Sequence, residues 1–85
     1  MKHIDPKRYN LSPRTILRQI GKYNISIIIN RKSRIIMKDG QRIMEQAQAI
    51  RRINSNMIIT VLTSAPVCSK TRSFLLEKNI YIKEL

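Results

Sequence analysis

The stretch from Ser64 to Thr71 has the spacing of a nucleotide phosphate-binding loop. In the pattern G-x-x-x-x-G-K-[ST], Lys70 and Thr71 are in place, but Ser64 and Ser69 stand where the two glycines belong. Glycine is needed there because it lets several backbone N–H groups converge on one phosphate. Two serines and the intervening Pro66 remove that freedom, so the sequence argues against a nucleotide hydrolase.

A weaker anion site remains at the end of the same stretch. Ser69, Lys70 and Thr71 lie at the start of a short predicted helix, and the N-terminus of a helix attracts anions. Simple helix capping accounts for the same residue types and is the preferred interpretation of the three residues.

The other groups that could perform catalysis are isolated from one another. Cys68 is the single cysteine, and the single histidine, His3, is far from it in sequence. A cysteine nucleophile needs an adjacent base, and one cysteine permits neither an internal disulfide nor a cysteine-based zinc cluster. Asp39 and Glu45 are near each other in sequence, but they form no convincing metal-binding set. We therefore predict no enzymatic activity, metal or cofactor, with a reduced, nuclease-like enzyme as a remote alternative.

The strongest functional signal is positive charge. The 85 residues contain 17 Lys and Arg against 5 Asp and Glu, a net charge of +12, and the isoelectric point is about 10.8. Lys and Arg that neutralise phosphates release condensed counterions, so the sequence indicates nucleic-acid binding. Solubility alone and an anionic membrane surface are the alternatives. The predicted phosphate contacts all lie before the midpoint of the chain: Arg14, Arg18, Lys22, Arg31, Lys32, Arg34, Lys38 and Arg42.

The sequence does not distinguish DNA from RNA. Aromatic residues make up 5% of the chain and are not arranged as a platform for stacking bases. It has neither the GxxG loop of a KH module nor the aromatic strand of an RRM. Contact with the phosphate backbone of a duplex or of structured RNA is the remaining hypothesis.

The length of the chain predicts one domain. Residues 1–10 are polar and contain Pro6, which predicts a flexible N-terminal arm before a single α/β domain at residues 11–85. No apolar run approaches the roughly 20 residues of a membrane span, and the first residues do not resemble a secretory signal. The lone cysteine fits a reducing compartment, so we expect a cytoplasmic protein.

The predicted fold is organised around residues 24–37, NISIIINRKSRIIM, which read as a β-hairpin with its loop at residues 31–33. Before it, Ser12 and Pro13 suit the start of a helix that ends at about Ile20. Ile28 and Ile36 fall on the otherwise polar face of the hairpin. Exposed apolar groups often mark interfaces, so a homo-oligomer or other protein complex formed through this hairpin face is the alternative function.

The second half of the chain alternates helices and strands. Asp39 can cap a helix predicted at residues 41–54. The continuous apolar run 57–62, MIITVL, is typical of a central strand buried on both faces. A loop at 63–69, a helix at 70–78 and a strand at 80–82 follow, with Asn79 suited to the left-handed position after the helix.

The predicted order of elements is thus α-β-β-α-β-α-β. We expect an α/β domain of two or three layers, with α+β as the alternative class. Helical crossovers make the last three strands parallel, so the sheet is predicted to be four-stranded and mostly parallel, with one antiparallel hairpin strand.

Overall fold

The computed structural model of the protein describes residues 2–85, which form a mixed five-stranded sheet with helices α1 and α2. The strands lie in the sheet in chain order. β1 and β2 pair antiparallel, as do β2 and β3, whereas β3, β4 and β5 are parallel. The bounds are β1 Lys2–Ile4, β2 Ile16–Ile20, β3 Asn24–Ile29, α1 Met37–Ile53, β4 Ile58–Thr63, α2 Ser69–Glu77 and β5 Ile80–Glu84, with a 3-10 helix at Pro6–Tyr9.

Both helices pack on the same face of the sheet. Each connects two neighbouring parallel strands, and such crossovers are almost always right-handed, which puts both helices on one side. Side chains alternate faces along a strand, and the buried residues follow that alternation. The face towards the helices carries Leu17, Ile25, Ile27, Ile59, Val61 and Ile80, all buried, and Ile43, Ala47, Ile50 and Leu75 meet them from the helices. The fold is therefore a two-layer α+β arrangement.

The prediction of a mostly parallel four-stranded sheet is wrong in its detail. Five strands are present, and two of the four pairs of neighbouring strands are antiparallel. The prediction that the last three strands run parallel through two helical crossovers is correct.

The segment predicted as a helix between Pro13 and Ile20 contains strand β2 instead. Ile16, Leu17 and Ile20 have a spacing that fits a helical stripe, but Leu17 alone enters the core while Ile16 and Ile20 lie on the other face. Gly21, at φ +68°, makes the tight turn into β3, a conformation that glycine adopts without steric cost.

The predicted hairpin at residues 24–37 is half correct. Its first strand is β3, but β3 pairs with β2 and β4, and residues 34–37 form no second strand. Ile35 instead makes a parallel bridge to Val67, the residue that leads into α2. Ile28 lies on the sheet and Ile36 at the start of α1, so the two do not share a hairpin face.

Helix α1 begins at Met37, four residues earlier than predicted. Ile36 occupies the N-cap, and Asp39 is the third helical residue, where its carboxylate accepts a hydrogen bond from the Ile36 N–H at 2.9 Å. Asp39 thus satisfies the start of the helix as expected, but from inside the first turn.

The C-terminal half closely follows its prediction. β4, α2 and β5 lie within a few residues of the predicted strand, helix and strand. Asn79 adopts the left-handed conformation, at φ 59°, and its N–H donates to the carbonyl of Leu76. β4 lies between two strands, and its helix face is buried throughout. On its other face Thr60 is buried, Leu62 is half-buried and Ile58 is exposed, so the burial predicted for both faces holds only in part.

In place of the predicted N-terminal arm, residues 2–10 form β1 and the 3-10 helix. Ile4 and Tyr9 are buried, and the Tyr9 hydroxyl accepts a hydrogen bond from the Asn54 side chain at 2.6 Å. No helix within residues 2–85 is both long enough and apolar enough to cross a membrane.

Candidate nucleic-acid interface

Basic side chains gather where the parallel strands end. The carboxyl ends of β3 and β4 lead into loops that open α1 and α2, and the loop before β2 reaches the same edge because β2 runs antiparallel to β3. In open α/β sheets this edge is the usual place for a ligand. We name as the cationic edge the basic residues there: Arg14, Arg31, Lys32, Arg34, Lys38, Arg42, Lys70 and Arg72.

Hydrogen bonds join the two loops of this edge into one surface. The Ile35 N–H donates to the Pro66 carbonyl at 2.8 Å, and the Cys68 N–H donates to the Ile35 carbonyl at 2.9 Å. Further out, the Ser64 hydroxyl donates to Asn30 Oδ1 at 2.7 Å. The starts of α1 and α2 are thereby held side by side.

Arg31 is directed inward and organises its own loop. Its guanidinium donates to the carbonyls of Ser33 and Arg34 at 3.2 and 3.1 Å and to Asp39 Oδ2 at 2.6 Å. The same pairing holds the pKa of Asp39 below its usual value, chiefly through the hydrogen bond from Arg31. Arg31 therefore supports the loop through Nε and Nη2.

The other cations of the edge carry no such bonds. Within residues 2–85, Asp39 is the one carboxylate that forms an ion pair, and Arg31 occupies it. Arg14 and Arg42 line a cleft beside Arg31, with Ser12 and Gln46 at its margins. The remaining cations flank the first turns of α1 and α2 and make no side-chain hydrogen bond within the described residues: Lys32, Arg34, Lys38, Lys70 and Arg72.

This placement of cations opposes the ordinary electrostatics of helices. The N-terminus of a helix carries a partial positive charge and favours acidic residues. Here Lys38 and Lys70 are both the second residue of a helix. The repulsion would be relieved by an external anion, so the edge can hold phosphate groups.

Two residues of the predicted set lie elsewhere. Arg18 is in the middle of β2 on the face without helices, where it contacts the ring of His3 and donates to the Leu17 carbonyl at 3.0 Å. Lys22 is in the turn between β2 and β3, at the opposite end of the sheet. Arg72 was missed, although its position one turn into a helix that follows a parallel strand could have indicated it.

The Ser69–Thr71 segment forms the first turn of α2, as expected. Ser69 and Lys70 are exposed, but the Thr71 side chain is buried against Gly40 of α1. Thr71 is thus part of the contact between the helices, and Lys70 faces outward.

Cys68 occupies the N-cap of α2 and is half-buried. The backbone N–H groups of Thr71 and Lys70 lower the pKa of its thiol, with a smaller effect of Arg34. His3 lies on β1, so no histidine stands beside the thiol as a base. Among residues 2–85 no three His, Cys, Asp or Glu side chains are close enough to hold a metal ion.

Comparison with known protein families, with curated proteins and with solved structures finds no match to this chain.

Proposed function

We propose that the protein binds nucleic acid through the phosphate backbone and that the cationic edge is the contact surface. The observation that carries the proposal is a set of cations without partners around two helix N-termini, on a chain of net charge +12. Each phosphate contact releases condensed counterions, which favours binding of any sequence.

The phosphate contacts in this proposal are Arg14, Lys38, Arg42, Lys70 and Arg72. Lys32 and Arg34 lie on the loop between β3 and α1. Arg31 acts as a positioning residue because its Nε and Nη2 donate to its own loop and to Asp39. Arg18 and Lys22 are removed from the predicted set because they lie on another face and at the other end.

The edge suits phosphates better than bases. Tyr9 is buried, Tyr81 lies on β5, and Tyr23 is next to the turn at the opposite end of the sheet. No tyrosine is therefore available to stack a base beside these cations. Phe74 lines a shallow pocket with Lys70, but its ring is half-buried and Lys78 Nζ lies over it, 5.8 Å from the ring centroid. The molecule measures 29 × 23 × 22 Å, so one side covers roughly 7 base pairs of a duplex at 3.4 Å each.

The test is a fluorescence anisotropy titration with a 20-base-pair DNA duplex, the matching RNA duplex and a single strand. We expect binding near 50 mM salt that weakens steeply as salt is added. With about five phosphate contacts, log K should fall with log[salt] at a slope of roughly −4 to −5. Absence of binding to all three nucleic acids would reject the proposal.

Two triple variants with the same net charge separate the edge from charge in general. The edge variant is Lys38→Gln, Lys70→Gln and Arg72→Gln. The control is Arg8→Gln, Lys22→Gln and Arg52→Gln, which alters exposed residues at the opposite end of the sheet. We expect the edge variant to bind at least tenfold more weakly and to reduce the salt slope by about 2 to 3. Equal losses in both variants would mean that the edge is not the contact surface.

A further inference from the structure

The face of the sheet opposite the helices, named here the open face, is covered by no other element within residues 2–85. Strand pairing places its side chains in three rows that run across the strands. Asp5 follows β1 in an extended conformation and continues the first row at the edge. The first row is Asp5, Ile16, Ile28, Leu62 and Lys83; the second is His3, Arg18, Ser26, Thr60 and Tyr81; the third is Ile20, Asn24 and Ile58.

The open face is rich in exposed apolar groups. Ile16 is 42% exposed, and Ile20, Ile58 and Tyr81 are each 46% exposed. Ile28 and Leu62, both half-buried, make the first row apolar from β2 to β4. The largely polar second row separates it from Ile20 and Ile58 in the third, so the face carries two apolar strips. Clustered apolar groups of this kind often mark an interface.

Charge excludes a polyanion as the occupant of this face. Arg18 and Lys83 are the basic residues in the three rows, and Arg18 is already bonded to His3 and to a backbone carbonyl. Asp5 adds a negative charge at the edge. The open face itself is thus close to neutral, so a second copy brings little like charge into the contact. Salt screens the repulsion between the net charges of +12 on the two copies.

We propose that the open face is the contact surface of a homodimer in which a two-fold axis runs along β3 between the two sheets. This axis places β2 opposite β4 of the second copy and β1 opposite its β5. An isologous interface requires a surface that is complementary to itself under this operation. The three rows meet that requirement, as their pairing shows.

Apolar residues then meet apolar residues. In the first row Ile16 lies opposite Leu62 of the second copy, and Ile28 lies opposite its own counterpart on the axis. In the third row Ile20 lies opposite Ile58. Sheets that pack face to face in this aligned way interdigitate such side chains.

The charged ends of the first row also match. Asp5 on β1 lies opposite Lys83 on β5 of the second copy, and the two-fold axis repeats the pair on the other side. Asp5 Oδ1 accepts a hydrogen bond from the Lys7 N–H, which leaves the second carboxylate oxygen for the lysine. In the middle row Ser26 and Thr60 are already buried by neighbouring side chains of the same chain, so they take no part in the contact.

The small size of the open face indicates a weak dimer. Five strands about 4.8 Å apart and about 18 Å long span roughly 350 Å² in projection. Side-chain relief increases the accessible area, but the total stays at the low end for specific interfaces. We therefore expect a weak dimer whose population rises with protein concentration. Both cationic edges would lie at the same end of this dimer, since the axis is parallel to the strands.

The first test is sedimentation equilibrium of the full chain from about 10 to 500 μM, without nucleic acid, so that its outcome is independent of the proposed function. We expect the mass to rise with concentration from 10.0 kDa towards twice that value. Ile20→Glu should raise the dissociation constant at least tenfold. Leu76→Glu, on α2 and 57% exposed, adds the same charge away from the face and should leave it unchanged. A wild-type chain that is monomeric throughout, or equal effects of both variants, overturns the proposal.

A charge swap provides a second test at the rim of the face. Lys83→Asp places like charges opposite each other and should weaken the dimer about three- to tenfold, as should Asp5→Lys. The double variant restores the attraction with its sign reversed, so it should dimerise nearly as well as the wild type. A double variant that is weaker than either single variant would exclude this axis.

Discussion

Arg31 and Asp39 form an ion pair of 2.6 Å between the loop after β3 and the first turn of α1. The same carboxylate oxygen accepts the Ile36 N–H at 2.9 Å, and Arg31 also donates to two carbonyls of its own loop. Two oppositely charged residues that could each be assigned a functional role from the sequence thus neutralise one another. Their effect is to fix the loop that carries Lys32 and Arg34 and the residue at which α1 begins.

The pair makes the stability of the protein dependent on acid. Because the pKa of Asp39 is lowered in the folded state, its contribution is fully present above the usual carboxyl pKa of about 3.9 and is lost as the pH falls through the lower folded value. We expect Asp39→Asn to be less stable by about 1 kcal/mol at pH 7, the usual cost of a lost cap. The difference should shrink between pH 4 and pH 2.

Thermal unfolding followed by circular dichroism from pH 7 to pH 2 measures this difference. Glu45→Gln is the matched control, because Glu45 lies on the same helix, is exposed and forms no ion pair. Its stability should follow that of the wild type at every pH. A gap between wild type and Asp39→Asn that is unchanged at pH 2 would show that the carboxylate charge is not what stabilises the loop.

The C-terminal half could be predicted because its local and non-local signals agree. An apolar β-branched run, a polar loop and a helix ending at Asn79 specify a β-α-β unit, and parallel strands joined by helices have one favoured handedness. Apolar residues flank the helix end, and both Leu75 and Ile80 are buried in the core.

The fold of the N-terminal half could not be predicted, because its secondary structure depends on pairing between residues that are distant in sequence. Ile16, Leu17 and Ile20 satisfy a helical period, but β2 is stabilised by hydrogen bonds along β3 and by the burial of Leu17. Residues 34–36 likewise have strand propensity but form the loop that leads into α1, since Asp39 and Arg31 stabilise the helix start there. Tertiary context thus overrides a helical period at β2 and β propensity before α1.

For the candidate site, the sequence identified basic residues but did not show where their side chains lie in the fold. Most of the predicted cations lie at one edge, but the sequence alone contains no signal that Arg31 bonds its own loop or that Arg18 faces the open side of the sheet. If residues 13–20 were a helix, Arg14, Arg18 and Lys22 would lie along one side of it. In the structure this segment contains strand β2, and the three residues lie before, within and after that strand.

The lysines at the helix starts should reduce the stability of the free protein. Lys38 and Lys70 are each the second residue of a helix, where a negative charge is favoured. We expect Lys38→Glu and Lys70→Glu each to stabilise the protein by about 0.3–1 kcal/mol at low salt while weakening any binding to nucleic acid. Arg52→Glu, in the last turn of α1, reverses the same charge at the opposite helix end and should destabilise by a similar amount.

Urea unfolding at 20 mM and 500 mM salt distinguishes this electrostatic origin from other effects of the substitutions. The three shifts should shrink at the higher salt because exposed charges are then screened. Destabilisation by Lys38→Glu and Lys70→Glu at low salt would contradict the view that these residues are placed for an external anion.

Gly40 lets the two helices approach each other. A Cβ atom at this position would lie 2.8 Å from the Cγ2 of Thr71, which is buried and cannot move aside. We expect Gly40→Ala to destabilise the protein by about 1–3 kcal/mol, as in other overpacked cores, although alanine favours helix by nearly 1 kcal/mol over glycine.

The double variant Gly40→Ala with Thr71→Ser identifies the clash as the cause. Serine lacks the Cγ2 atom, so the double variant should regain most of the lost stability in urea unfolding. If the double variant loses as much stability as the two single variants together, the contact with Thr71 Cγ2 is not what makes Gly40→Ala destabilising.

Arg51 joins the end of α1 to the end of α2. Its guanidinium donates to the carbonyls of Lys78 and Asn79, both at 3.0 Å, and so satisfies acceptors that the end of a helix leaves free. Lysine is a point charge on a flexible stem and cannot reproduce this fork. We expect Arg51→Lys to destabilise the protein by about 1–2 kcal/mol in urea unfolding. Arg52→Lys, at the exposed neighbouring position, should change stability by less than about 0.5 kcal/mol, and equal losses in the two variants would contradict a specific role of the Arg51 fork.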